Sequence, residues 1–369
     1  MKQNRSQPLR VIQCGTGVAG RQALRAILGN PALDLVGLLV HSQSRAGETA
    51  SAIAGLQSAC TVQATTSFEE ILRIEADAVC YMMLLPDVDK ICALLESGKN
   101  VVTTAGLIFP GWSDAGTAAL LERACAKGKS SFHVTGINPG WVDEVLPLTM
   151  SALCRDIRHI HIREYADCAR YPAPHILKVM GFGRSIEDVR AGKVPDLAIM
   201  RDFFIQSIAA LAEGLRLELD QVTESREFAL APRAYDIAAG HIAAGSIAGQ
   251  RWRWQGLSRG VPRIVQETYW ITAFDLGEDW PQAGALDNDT QWRVTIEGTP
   301  SLRCTFEPRY SFLQAAAGAA APDFNPSGLA TAMAAVNSLH ALCAAPPGAR
   351  LASDLPLPRC RQLAPVDHV

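Results

Sequence analysis

Apolar and polar positions change their spacing partway along this chain, and the change divides it. From residue 9 to about residue 135, short apolar runs alternate with stretches whose apolar residues recur every three or four positions. Leu9 to Cys14, Asp34 to Val40, Thr61 to Ala64, Ala78 to Leu85, Val101 to Thr104 and Ser131 to Thr135 predict six strands. Ala78 to Leu85 is apolar without a break, as a strand buried on both faces requires, and Pro86 stops it. Arg21 to Leu28, Phe68 to Ile74, Val88 to Glu96 and Ala115 to Ala126 predict helices, the last two closed by Gly98 and Gly128. Strands alternating with helices imply a parallel sheet covered on both faces.

Near Gly136 the period changes. Ile157 to Tyr165 alternates, with Ile157, Ile160 and Ile162 set among charged residues. Trp252, Trp254, Val265, Tyr269, Trp270, Thr272 and Phe274 lie in further alternating stretches, as do Trp292 to Ile296 and Leu302 to Phe306. These predict antiparallel strands in a second, mixed domain. Leu197 to Leu215 predicts a long helix, and Ala315 to Ala321 is low-complexity and reads as a loop. Thr331 to Cys343 predicts a helix ended by Pro346-Pro347-Gly348, expected to pack back on the first domain.

The first strand runs into Gly15-Thr16-Gly17-Val18-Ala19-Gly20, with helix-forming residues after it. In a strand–turn–helix context this pattern predicts a dinucleotide site. Gly15 permits the tight turn, Gly17 lets backbone approach a pyrophosphate, and Gly20 lets helix and strand pack closely. The fold class is therefore α/β: an N-terminal Rossmann domain with a doubly wound parallel sheet, then a second α+β domain with a mixed sheet. The expected boundaries are 1–145 for the cofactor domain, with a returning helix at 327–345, and 146–326 for a substrate-binding and dimerisation domain.

NAD-specific folds place an acid about 20 residues past the glycines, on the ribose 2′-hydroxyl. Here that place holds His41-Ser42-Gln43-Ser44-Arg45, with no carboxylate. Ser42 and Ser44 can donate hydrogen bonds, and Arg45 can pair with a phosphate. The pattern favours NADP(H), and NAD(H) remains usable. Strand ends should face the ligand crevice. They supply Leu84-Leu85-Pro86, Thr103-Thr104-Ala105-Gly106 and Thr135-Gly136-Ile137-Asn138-Pro139-Gly140. Leu85, Pro86, Thr104 and Ala105 join Val18 and His41 as candidate cofactor contacts. Asn138 either bonds a nicotinamide or substrate carbonyl or supports its own turn.

Composition narrows the class. The 369 residues suffice for two domains. Hydrophobic residues at 48% and charged residues at 19% suit a globular protein, and a net charge of -3 argues against nucleic acid or anionic membrane as partner. No apolar run is long enough to span a bilayer, and the polar start Met-Lys-Gln-Asn-Arg-Ser-Gln lacks a signal peptide's apolar core. The 10 cysteines form no CxxC pair, which points to reduced thiols and a cytoplasmic protein. Cys14, Cys80 and Cys92 sit in apolar surroundings as small core residues.

Together Gly15-x-Gly17-x-x-Gly20, Val40-His41-Ser42, Gly98-Lys99-Asn100-Val101-Val102 and Thr135-Gly136-Ile137-Asn138-Pro139-Gly140 resemble the dihydrodipicolinate reductase superfamily, in its 2,4-diaminopentanoate dehydrogenase and amine dehydrogenase branch. Tyr171, Met180-Gly181-Phe182-Gly183, Ala239-Gly240, Gln250-Arg251-Trp252-Arg253-Trp254, Glu267-Thr268-Tyr269-Trp270 and Asp354-Leu355-Pro356 extend the resemblance over nearly the whole chain. It implies NAD(P)H-dependent redox chemistry on a small carbonyl, alcohol, imine or amine, and a homodimer. It also implies, for amine-converting members, a glutamate after the fifth strand that handles protons on the amine or imine. This chain has Ala105 or Gly106 there and no carboxylate between Val101 and Pro110. A catalytically silent NADP(H)-binding sensor or scaffold is the alternative that this departure raises.

A carbonyl reduction needs a proton donor, and Tyr or His is suitable. Tyr171-Pro172-Ala173-Pro174-His175 is a rigid loop that would present Tyr171 or His175 beside Asn138; His133 and Tyr165 are weaker candidates. His159 and His161 share one strand face near Glu164. Without a third ligand at sensible spacing they read as solvent- or interface-facing residues and not as a metal site.

Overall fold

A computed structural model describes residues 7–57, 60–112, 114–171, 177–178, 180–193, 198–284, 290–312 and 325–360. His175 and the Ala315 to Ala321 stretch lie outside the described residues. Two compact units result: Met1–Trp141 with Leu313–Val369, and Val142–Phe312.

The first unit is built on a seven-stranded sheet in which all pairings are parallel. Its strands are β1 (Leu9–Cys14), β2 (Leu33–Leu39), β3 (Ala64–Thr65), β4 (Ala78–Tyr81), β5 (Asn100–Thr103), β6 (Ser131–Val134) and β15 (Gly348–Arg350), in the order β15-β6-β5-β4-β1-β2-β3. Strand order reverses between β1 and β4, the place where open α/β sheets leave a ligand crevice. All four residues of β4 are buried, as the unbroken apolar run implies. That run was expected to continue as strand through Leu85, but β4 ends at Tyr81 and the chain turns outward, leaving Leu84 76% and Leu85 52% exposed.

The helices of this unit are α1 (Val18–Leu28), α2 (Ala50–Ala54), α3 (Phe68–Arg73), α4 (Val88–Glu96), α5 (Ala115–Gly128) and α9 (Pro326–Ala344). In α9, Ala332, Ala335, Val336, Leu339 and Leu342 join one core cluster with Ala23, Leu24 and Ile27 of α1. It delivers the chain to β15, which extends the sheet beside β6 and was not predicted. Asp77, just before β4, closes the lower edge: its carboxylate accepts from the Arg10 amide at 2.8 Å.

The second unit holds a mixed six-stranded sheet. Its strands are β7 (Asp156–Asp167), β8 (Gln221–Leu230), β11 (Ile247–Ser258), β12 (Val261–Ile271), β13 (Thr290–Thr299) and β14 (Leu302–Phe306), in the order β14-β13-β7-β12-β11-β8. β7 and β12 are parallel and the other pairs antiparallel. A small hairpin adds β9 (Tyr235–Ile237) and β10 (Gly240–Ile242). Helices α6 (Leu146–Ser151), α7 (Ile186–Arg190) and α8 (Ala198–Gly214) complete it.

Period-2 alternation gives this sheet two chemically different faces. One carries Ile160, Ile162, Trp252, Trp254, Trp270, Trp292, Val294 and Ile296, and α8 packs on it: Phe204 stacks on Trp254 with ring centroids 4.3 Å apart. Gly256 makes room for the helix, since a Cβ there would lie 2.7 Å from Ile208. The other face carries His161, Arg163, Arg251, Arg253 and Glu267. The four tryptophans that the alternation places in strands, Trp252, Trp254, Trp270 and Trp292, are therefore core.

Candidate active site

The glycine loop shows why each glycine is there. Gly15 follows β1 with φ +87°, and its N–H donates to Leu39 O at 2.9 Å. A Cβ on Gly15 would lie 2.4 Å from Met82 O, and one on Gly20 would lie 2.4 Å from Gly15 O. At Gly17 a Cβ would meet no protein atom within 4 Å. Gly15 and Gly20 are thus demanded by the fold, whereas Gly17 is not. The side chain of Gln13 pins the turn from below, donating from Nε2 to Gly15 O at 2.9 Å.

Capping sets α1 apart. Side chains of Thr49, Ser67, Asp87, Asp114 and Asn325 accept backbone N–H groups at the starts of α2, α3, α4, α5 and α9. Gly17 offers α1 no side-chain cap, and its first turn has no acid. First-turn N–H groups and the positive end of the helix dipole are left facing outward, as an anion site needs.

After β2 the chain makes a short 3-10 turn, Gln43–Arg45. The structure brings this segment to the glycine loop: Arg45 Nη1 donates to Thr16 Oγ1 at 3.3 Å. Ser42 Oγ and Ser44 Oγ are 2.7 Å apart, and both residues are exposed, as is His41. A cation and two hydroxyls therefore stand where an NAD-specific acid would be, a donor set that fits a 2′-phosphate. Val18, 67% exposed, joins Leu84 and Leu85 as an apolar rim at the strand ends. Pro86 follows Leu85 in the chain.

Thr104 and Ala105 follow β5. Ala105 is buried, and its N–H donates to Thr103 Oγ1 at 3.0 Å, so the side chain of Thr103 closes this turn. After β6, Asn138 is half-buried in a segment bent by Gly140 at φ +130°, and the Trp141 N–H donates to Gly136 O at 2.9 Å. His133 is buried within the first unit, with Nδ1 2.8 Å from Arg350 O; burial lowers its pKa and keeps it neutral at pH 7.

In the second unit, Tyr171 follows a 3-10 turn at Cys168–Arg170 and is 45% exposed. Burial raises its pKa, so it is a phenol at neutral pH. Tyr165 belongs to the charged sheet face, stacked on Tyr269 at 5.3 Å. His161 Nε2 lies 3.1 Å from Glu267 Oε2, and Arg163, Arg251 and Arg253 close on the same carboxylate at 3.0, 2.8 and 2.6 Å. Burial alone would raise Glu267; the hydrogen bonds from His161, Arg251, Arg253 and Arg163 outweigh it and hold the group far below the usual carboxylate range. Among the described residues no group of three or more His, Cys, Asp or Glu is placed to hold a metal.

The tryptophan face also carries polar groups, and it takes Glu164 away from the face of His161. One row across the sheet reads Trp292, Glu164, Thr268, Trp252, Arg226. Glu164 accepts an indole N–H from Trp270 at 3.0 Å and another from Trp292 at 3.2 Å. Arg226 lies 4.2 Å from the centre of the Trp252 ring. Asp143 and Glu144 are buried, and Asp143 ties α8 to β12: its Oδ2 accepts from Ser207 Oγ at 2.6 Å and from Gln266 Nε2 at 2.7 Å. Two adjacent acids inside an apolar run, Trp-Val-Asp-Glu-Val-Leu, were the available signal.

Residues 141–366 match the model of the 2,4-diaminopentanoate dehydrogenase C-terminal domain. An amine dehydrogenase from Streptomyces virginiae is 30% identical over 93% of this chain and 95% of its own. A 2,4-diaminopentanoate dehydrogenase from Acetoanaerobium sticklandii is 23% identical over 73% of this chain and 70% of its own. Among solved structures, amine dehydrogenase from Mycobacterium smegmatis superimposes with a TM-score of 0.75 at 17% identity, covering 96% of this chain and 98% of that one. Among the described residues no helix is long and apolar enough to cross a membrane.

Proposed function

Since the chain belongs to the 2,4-diaminopentanoate dehydrogenase and amine dehydrogenase family of oxidoreductases, we propose that it is an NADP(H)-dependent enzyme acting on a small carbonyl/alcohol or imine/amine substrate. When bound, the nicotinamide supplies or accepts the hydride. The chain's own residues do the rest. Gly15, Thr16, Gly17, Val18 and Gly20 would hold the pyrophosphate at the open start of α1, and Ser42, Ser44 and Arg45 would hold the 2′-phosphate. The apolar rim of Val18, Leu84 and Leu85 would exclude water from the rings, and Asn138 would orient the carboxamide or the substrate. The second unit would supply the substrate surface and the homodimer contact.

The observation that carries this reading is the Arg45 side chain on Thr16 of an uncapped, acid-free helix start. A charge-assisted contact to phosphate is worth about 1.5–3 kcal/mol, roughly 10- to 150-fold in affinity. Calorimetric titration of wild type and Arg45→Ala therefore tests it: NADPH affinity should drop by that factor while NADH affinity stays the same. Equal losses for both cofactors would refute the phosphate role. Sedimentation velocity tests the dimer.

The silent NADP(H)-binding reading has one specific observation, the absence of any carboxylate between Val101 and Pro110. Tight NADPH binding without turnover of ketones or aldehydes, with or without ammonia, would favour it.

A further inference from the structure

Arg226 ends the polar row on the tryptophan face, on β8, an edge strand of the six-stranded sheet. Its guanidinium lies between two rings of its own unit: Cζ is 4.3 Å from the centre of Phe228 and 4.2 Å from that of Trp252. Rings so placed attract a cation, but they do not satisfy its N–H groups, which need acceptors. Nε and Nη2 are both buried and donate to no protein atom. Burial pushes the Arg226 pKa down to about 10, so the group stays a cation at pH 7.

The acids around it are engaged elsewhere. Glu224, two residues back on the same face, accepts the Trp254 indole N–H at 2.9 Å and stands 3.6 Å from Arg201 Nε. Glu227 points to the opposite face and lies 3.4 Å from Arg251 Nη1. Glu164 is three strands away in the same row, about 14 Å by strand spacing, and accepts two indole N–H groups. Buried donors are nearly always satisfied, and each exception needs an explanation. A buried cation without a partner is costlier still, and an anion that pairs with it offsets that cost.

The geometry selects the anion. Nε–H and Nη2–H lie side by side on one edge of the planar guanidinium and point the same way. That edge takes the two oxygens of a carboxylate in parallel hydrogen bonds. A phosphate dianion also offers oxygens, but one guanidinium does not neutralise its second charge. A folded protein surface does not reach nitrogens that lie buried between two rings, whereas a small molecule does. Arg226 as a whole is half-buried and keeps some contact with solvent.

We propose that the Nε–Nη2 edge of Arg226, between Phe228 and Trp252, is a binding site for the carboxylate of a small organic molecule. Every part of it belongs to the second unit. It stands apart from the oxidoreductase reading, because binding here needs neither NADP(H) nor turnover.

The probes are isovalerate and isovaleramide, which match in shape and differ in charge, titrated against tryptophan fluorescence. The wild-type chain should bind isovalerate saturably and the amide about 10-fold more weakly or worse, the loss expected of a charge-assisted contact. Inorganic phosphate should bind more weakly than isovalerate. Arg226→Gln should lose the preference for the acid, and Arg226→Lys, which keeps the charge without the edge, should bind isovalerate more weakly than wild type. Isovalerate should also raise the Tm of wild type and leave that of Arg226→Gln unchanged. Equal wild-type affinity for acid and amide, no saturable binding of isovalerate, tighter binding of phosphate, or wild-type isovalerate affinity in Arg226→Gln would each overturn the proposal. Should both variants fail to fold, the acid-to-amide ratio of the wild-type chain still decides.

Discussion

The same substitution at two glycines five atoms of backbone chemistry apart should have opposite consequences. Gly15→Ala places a Cβ 2.4 Å from Met82 O, about 0.6 Å inside the 3.0 Å approach that real Cβ atoms respect, on backbone at φ +87°. The left-handed conformation costs an L-residue about 1–2 kcal/mol, and overpacking against a backbone carbonyl costs about 1–3 kcal/mol. The sum is about 2–5 kcal/mol, which in a domain of this size lowers Tm by roughly 4–20 °C. Gly17→Ala meets no atom and needs no positive φ. Alanine is a poorer N-cap than glycine by up to about 1 kcal/mol, so Tm should move by no more than about 4 °C. Its Cβ instead occupies the space through which backbone approaches a pyrophosphate. The overpacking figure of about 1–3 kcal/mol then appears in binding, as a roughly 5- to 150-fold weaker Kd for NADPH. Thermal melts without cofactor and fluorescence titration with NADPH separate the two effects. Wild-type NADPH affinity in Gly17→Ala would refute the assignment of the loop, and a wild-type melt for Gly15→Ala would refute the packing argument.

Other consequences concern the second unit and the acid limb. Phe204→Ala removes the ring stacked on Trp254 and should destabilise by about 3–5 kcal/mol, read from urea midpoints; a loss below about 1 kcal/mol would show that α8 does not hold the sheet. Glu267→Gln leaves three arginines without their carboxylate and should cost about 3–5 kcal/mol. With Glu267 intact, pH dependence follows from the signs. His133 and His161 are held below their ordinary pKa, so the unfolded chain takes protons first and stability begins to fall as pH drops below about 6.5. Glu267 is depressed, so its stabilisation is complete above about 4.3 and is lost as pH falls from there toward its much lower folded value. Melts at pH 8, 5 and 3 should show the two steps, and a flat profile would contradict both assignments.

The first unit was largely legible because its strands are buried on both faces and its helices carry ordinary stop signals. Val88–Glu96 needed no correction. Where the reading overran, at Leu84 and Leu85, the residues are apolar yet exposed beyond the strand end, and apolarity alone does not separate a buried strand from an exposed turn. β15 was missed because Gly348–Arg350 is three residues long and is recruited by α9 delivering it to β6. β8 was missed for a different reason. Its inward side chains include Glu224 and Arg226, which bond the Trp254 indole and stack on Trp252, so an inward row looked like an outward one. The pairing of Arg45 with Thr16 depended on two segments far apart in sequence, and chain spacing could only nominate its members.

That inward polarity sets this sheet face apart from an ordinary apolar core. A sheet face meant only for a core would present four tryptophans to apolar neighbours and place their indole N–H groups at the edges. Here Trp270 and Trp292 both donate to Glu164, Trp254 donates to Glu224 and Trp252 to Gln250. Each indole is thereby fixed in rotation, because a buried donor that leaves its acceptor forfeits about 1–3 kcal/mol. The rings become rigid walls and the acceptors stay inside.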